Sequence, residues 1–219
     1  MSYENNIVKK PWGFEYLVYQ NDNVGLWLLH IEKDQCTSTH CHPKKNTGLV
    51  LLEGEAEVSF LNDKFHLTAP SKVMIRRGLF HSTKALSDGG INLFEIETPR
   101  KKDDLVRLKD NYGRELRPYE GKEYESEKQN DCLWLEDDDY KKGIFDFCGR
   151  KLQLQKCSTT DDLKLLDEEA LFMCLKGGLK TENNDVVYQP GDVITSKVYE
   201  ILKEQFKMID SSIILTISK

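Results

Sequence analysis

The sequence predicts an all-β protein of two successive barrel-like units, the second a degenerate copy of the first. Three observations lead there. Short apolar or alternating runs recur at close, regular spacing with Asn, Asp, Gly and Pro turns between them, which indicates a sandwich or barrel and not a βαβ fold. A weak ordered repeat follows: Leu49 to Gly54 answers to Leu171 to Gly177, Asn62-Asp63 to Asn184-Asp185, and Pro70-x-x-Val73 to Pro190-x-x-Val193. Histidine, finally, is confined to the first half.

Taken in order, Lys9-Lys10-Pro11-Trp12-Gly13 is a break before a first strand at 14–19, and Asn21-Asp22-Asn23 turns into a second at 25–32. Segments 37–42 and 48–52 follow. The alternating run 56–61 turns at Asn62-Asp63 into 64–68, a hairpin. Pro70-Ser71 leads into 73–76, and 91–97 closes the first unit, residues 1–115. Residues 116–131 are polar without an apolar period and read as a linker or solvated loop. The second unit, 132–219, has strands at 151–156, 171–175, 186–188 and 193–195.

Composition narrows the function classes. With 219 residues, 39% hydrophobic and 31% charged, the chain can bury a sizeable core. A formal charge of −6 argues against non-specific nucleic-acid binding. No apolar run approaches a membrane span and residues 1–10 show no leader pattern, so a cytoplasmic protein is expected. The six cysteines lack C-x-x-C spacing and read as reduced thiols, Cys41 as a core residue. Asp137-Asp138-Asp139 lacks the spacing of a calcium loop and reads as surface charge.

The chemistry concentrates at His40-Cys41-His42. On a strand the two imidazoles share one face and Cys41 takes the other. Some forty residues on, Ile75-Arg76-Arg77-Gly78-Leu79-Phe80-His81 offers a glycine turn able to aim His81 at the first pair. Three imidazoles converging inside a β-structure suit a divalent transition metal: zinc, iron, nickel, copper or manganese. His30, alone in an apolar strand, reads as structural.

These residues resemble the cupin superfamily, jelly-roll barrels with a metal inside. The first motif of that family, G, five residues, H-x-H, three or four residues, E, six residues, G, is matched by His40, His42 and Gly54, with Thr47 in the place of the glutamate. The second motif, P-x-G-x-x-H, keeps Gly78 and His81, with Arg76 in the place of the proline. Within the superfamily the first half looks most like the cupin domain of type II phosphomannose isomerases, through Lys10-Pro11-Trp12-Gly13, the Gly54 turn, Glu97-Thr98-Pro99, and the run from Asp103 to Leu108 with Asp110-x-Tyr112-Gly113-Arg114.

The resemblance implies a bicupin in which His40, His42 and His81 hold the metal and water or substrate fills the glutamate's place beside Thr47. A metal-bound carbonyl or enediolate needs a base, and the candidates are Glu55 and Glu57 on one face, Glu95 and Glu97 on another. Lys44, Lys45, Arg76 and Arg77 are candidates to hold an anionic group. The expected function is isomerase- or epimerase-like action on a sugar phosphate or nucleotide-linked sugar in surface-carbohydrate synthesis. A three-histidine iron oxygenase and a non-catalytic binding or sensor module are the alternatives. An anionic small-molecule substrate is expected, with no nucleic-acid or membrane partner, and the second barrel is expected to cover the first or form a homodimer contact.

Overall fold

Uninterrupted apolar runs such as 48–52 and 171–175 need cover on both faces, and the fold supplies it by stacking sheets. The computed structural model describes residues 6–101, 103–115, 125–127 and 132–219. The first unit contains β1 (Asn6–Lys10), β2 (Gly13–Gln20), β3 (Gly25–Ile31), β4 (Thr39–Cys41), β5 (Asn46–Glu53) and β6 (Glu55–Phe60). It continues with β7 (Lys64–Thr68), β8 (Ser71–Ile75), β9 (His81–Ala85), β10 (Ile91–Thr98) and β11 (Val106–Lys109). All pairings are antiparallel, in two sheets of order β12-β1-β2-β3-β10-β5-β8 and β11-β4-β9-β6-β7, where β12 is Glu125–Glu127. From β3 to β10 the chain alternates between these sheets, except at the β6–β7 hairpin, which is jelly-roll connectivity.

The second unit comprises β13 (Ile144–Phe147), β14 (Arg150–Cys157), β15 (Leu171–Lys176), β16 (Leu179–Lys180), β17 (Val186–Tyr188), β18 (Val193–Thr195), β19 (Lys207–Met208) and β20 (Ser212–Ser218). A helix, α1 (Ser196–Lys203), stands between β18 and β19. The sheet orders β13-β14-β20-β15-β18 and β17-β16-β19 repeat β2-β3-β10-β5-β8 and β7-β6-β9 strand for strand. Among the described residues nothing in the second unit answers to β4 or β11. The strand that carries His40 in the first unit has no counterpart, and that is the physical content of the degeneracy.

Three cores lie between four sheets. Leu29, Leu49, Leu51 and Leu93 face Ala56, Val58 and Ala85 inside the first barrel. The opposite faces of the same strands send Tyr16, Leu28, Val50 and Phe94 against Leu154, Met173 and Leu215 of the second unit. Beyond that sheet, Phe172, Cys174 and Ile214 pack on Leu179, Tyr188 and Tyr199. The large sheet of the first unit is therefore a wall common to two cores.

The structure departs from the sequence reading in several places: strands β1, β11 and β13 stand where no strand is expected, and Asp139 of the expected surface run 137–139 is buried. Glu125–Glu127, inside the expected linker, pairs with β1; the rest of 116–131 lies outside the described residues. Strand β9 begins at His81, where the sequence indicates only the end of a glycine turn. Strand β20, Ser-Ile-Ile-Leu-Thr-Ile-Ser, is central to its sheet and paired with both β14 and β15, although the repeat did not include it. Helix α1 is only eight residues long, too short for a clear 3.6-residue period; Thr195 Oγ1 caps it, accepting from Val198 N at 3.3 Å.

Candidate metal centre

Strands β4 and β9 pair with His40 opposite His81, and His42 follows β4 directly. Ring centroids lie 4.9 Å apart for His40 and His42, 4.5 Å for His40 and His81, and 5.6 Å for His42 and His81. One ligating nitrogen from each ring falls within 4.8 Å of the others. Each Nδ1 is engaged by a main-chain carbonyl: His40 by Ser38 O at 2.7 Å, His42 by Asp104 O at 2.5 Å, His81 by Leu79 O at 3.0 Å. A carbonyl only accepts, so Nδ1 carries the proton in all three rings and Nε2 keeps the lone pair a metal needs.

Burial sets the charge state. It presses the His81 pKa down to about 4. Burial first, then the neighbouring His81 and His42 imidazoles, holds His40 well below its ordinary value. Both rings are thus neutral at pH 7, the form that ligates. The donor set fits a divalent transition metal.

Local chemistry explains the aim of each ring. Gly78 takes φ +72°, Leu79 N donates to Arg76 O at 3.2 Å, and Gly78 N donates to His42 O at 2.9 Å. The glycine turn expected from sequence is therefore tied to the first histidine pair and delivers His81 to it. After His42 the chain is clamped by Asp104, whose Oδ2 accepts Lys44 N at 2.6 Å and Lys45 N at 2.9 Å.

The candidate carboxylates separate. Glu95 is inside, with Oε1 3.8 Å from His42 Nε2. Glu97 is buried and accepts Lys45 Nζ at 2.5 Å on Oε1, while its Oε2 makes no hydrogen bond. Glu55 and Glu57, expected to face inward, point out: Ala56 and Val58 occupy the inner face of β6, and the two glutamates pair with His66 at 3.2 Å and Lys64 at 2.7 Å. Lys44 is exposed, and so are Arg76 and Arg77 on the turn before His81; none of the three lines the cavity beside the imidazoles. Lys45, in contrast, is buried within the barrel. Thr47 is buried on β5 opposite Glu97, its Oγ1 makes no hydrogen bond, and it does not line that cavity. His30 faces the other core, stacked on Phe14 and 2.9 Å from Asn92, as a structural histidine should be.

That cavity, of about 50 Å³, holds residues that sequence reasoning did not assign to a role. Lys10 pairs with Glu15 at 3.3 Å, Arg107 Nε donates to Ser38 Oγ at 3.3 Å, and Arg114 Nη2 donates to Asp110 at 2.7 Å. Trp12 and Trp27 complete the wall. Lys10, Trp12, Arg107 and Arg114 all belong to the flanking segments that carry the isomerase resemblance, and that was the signal available for them.

No protein-family model and no curated protein sequence matches the chain. Solved structures similar to it include KdgF from Halomonas sp., with TM-score 0.41 and 16% identity over 43% of this chain and 86% of that one. The capsular polysaccharide assembling protein CapF from Staphylococcus aureus gives TM-score 0.45 and 16% identity over 50% of this chain and 33% of its own. A cupin-2 domain containing protein from Shewanella frigidimarina gives TM-score 0.36 and 18% identity over 42% and 84%. No helix of the described residues is long and apolar enough to cross a membrane.

Proposed function

We propose that the chain is a metal-dependent enzyme acting on a small anionic substrate, isomerase- or epimerase-like toward a sugar phosphate or nucleotide-linked sugar. The observation that carries this reading is the set of three converging imidazoles, each latched at Nδ1 by a main-chain carbonyl so that Nε2 keeps the lone pair, beside a cavity that also holds carboxylates and arginines. The choice of sugar chemistry, and its setting in surface-carbohydrate synthesis, rests on the sequence resemblance.

A bound divalent ion supplies Lewis acidity toward a carbonyl or enediolate oxygen. The protein's own groups do the rest. Lys45 holds one oxygen of Glu97, so the other, bare oxygen is placed to take a proton from a carbon next to the polarised carbonyl and return it. Arg107 and Arg114 hold the anionic group, with Arg114 oriented by Asp110 through Nε, Nη2 and its own main-chain N–H. At about 50 Å³ the cavity is far below the roughly 300 Å³ that encloses a whole ligand, so it takes only the reacting end of the substrate.

The test combines elemental analysis with exchange. Protein purified without chelator is expected to carry about one metal per chain, and His42→Ala to lose it. Incubated in D₂O with a panel of sugar phosphates and nucleotide sugars, it should introduce deuterium next to the carbonyl of one of them, and Glu97→Gln should not. Metal retained in His42→Ala overturns the centre. Oxygen consumption without exchange would identify an iron oxygenase, and tight binding with neither would identify a binding module.

A further inference from the structure

We propose that Glu95 is an oxygen ligand of the metal centre, delivered from β10 and not from β5. The proposal rests on the three-histidine centre argued above. Glu95 pairs in register with Leu49 on β5 and Trp27 on β3, so it lies on the inner face with Leu93 and Glu97. Its Oε1 is 3.8 Å from His42 Nε2 and its side chain is 15% exposed. Two ligands bonded to one ion at about 2.1 Å stand roughly 3.4 Å apart in a tetrahedron. The Glu95–His42 spacing of 3.8 Å exceeds that by only about 0.4 Å, a gap that a turn of the glutamate side chain closes without moving the strand.

Charge makes the same case. Three neutral imidazoles leave a dication uncompensated in a buried cavity, and the cations about it are already numerous: Lys10, Arg107 and Arg114 line the cavity, and the ammonium of Lys45 lies near enough to act on His40 and His81. Lys10, Arg114 and Lys45 have acidic partners in Glu15, Asp110 and Glu97. An anionic ligand lowers the desolvation penalty of the ion itself, and Glu95 is the carboxylate beside a ligating nitrogen. A threonine hydroxyl at position 47 can offer no such charge. Two consequences follow. A three-nitrogen, one-carboxylate set favours zinc, iron or manganese over soft copper(I). And a carboxylate spent on the metal is not the base, which leaves that role to Glu97.

The experiment is metal binding and not turnover. Chelator-stripped protein is titrated with Zn²⁺ against a competing fluorescent chelator, and the Co²⁺ form is read by its visible d–d bands, for wild type, His42→Ala, Glu95→Gln and Glu95→Asp. Glu95→Gln is expected to weaken Zn²⁺ binding by at least about tenfold and to shift the cobalt bands; the affinity of Glu95→Asp, which keeps the charge on a shorter arm, should fall between. If Glu95→Gln does not fold, Glu95→Asp decides on the same two readouts. Wild-type affinity and an unchanged cobalt spectrum in the Glu95 variants, with metal lost in His42→Ala, overturns this inference and leaves the histidine centre standing. Wild-type binding in His42→Ala overturns both.

Discussion

Replacing Lys45 with Met tests how the floor of the site is held together. The two members of the Lys45–Glu97 pair are 0% and 3% exposed at the side chain and 2.5 Å apart. Methionine matches the lysine stem but leaves the Glu97 carboxylate buried without its counter-charge. Breaking a buried pair in this way costs about 3–5 kcal/mol, which for a chain of this length lowers Tm by roughly 6–20 °C. The double variant Lys45→Met/Glu97→Leu removes both charges, so it should return to within about 1–2 kcal/mol of wild type. Urea unfolding of chelator-stripped protein, followed by tryptophan fluorescence, reads all three, because Trp12 and Trp27 line the adjoining cavity. A loss below about 1 kcal/mol in Lys45→Met would refute the reasoning. So would a double variant no more stable than Lys45→Met.

Acid should destabilise the metal-free protein: below the ordinary pKa of 6.5 the unfolded chain takes up the His81 proton, while the folded chain refuses it until about 4. Stability is full above 6.5 and falls by about 3 kcal/mol as pH drops through that window, and His81→Gln should flatten that part of the profile; an unchanged slope in the variant refutes the assignment. Gly178→Ala places a Cβ 1.8 Å from the Tyr188 carbonyl oxygen at φ +112°, so it should cost at least about 2 kcal/mol; Gly149→Ala, at φ +68° with nothing within 4 Å, should cost about 1 kcal/mol, and equal denaturation midpoints would contradict this. Thr47→Val removes a buried hydroxyl that makes no hydrogen bond, so metal content should hold and stability should stay level or rise by about 1 kcal/mol; metal loss would place Thr47 in the centre after all.

The histidine triad was legible because two short-range rules suffice for it. Alternation puts His40 and His42 on one face, and a glycine at position 78 reverses the chain before His81. Which face is the inner one is a different question, and period-2 logic is silent on it. On β6 the alternation of Glu55 and Glu57 with Ala56 and Val58 was seen, yet the small apolar residues, not the acids, fill the interior. Arg76 and Arg77 sit beside the motif in sequence but on the outside of the turn in space. Lys45–Glu97 and His42–Asp104 join residues 52 and 62 positions apart, and no local pattern encodes such pairs. The two-unit plan was legible through the turns at Asn62-Asp63 and Asn184-Asp185. The absence of a β4 counterpart among the described residues shows in the sequence only as missing histidines.

The three imidazoles are oriented by the carbonyls of Ser38, Leu79 and Asp104, and a carbonyl belongs to every amino acid. Where a metal-site histidine leans on an aspartate side chain, one nucleotide change can take the acceptor away. Here no substitution at 38, 79 or 104 can delete it; only a displacement of the main chain can. A change of side chain at Ser38 or Leu79 therefore leaves the tautomer in place, although at Ser38 it would remove the hydroxyl that accepts from Arg107 Nε. Constraint falls instead on what shapes the backbone path: the β4–β9 pairing, the Gly78 turn and the Asp104 clamp.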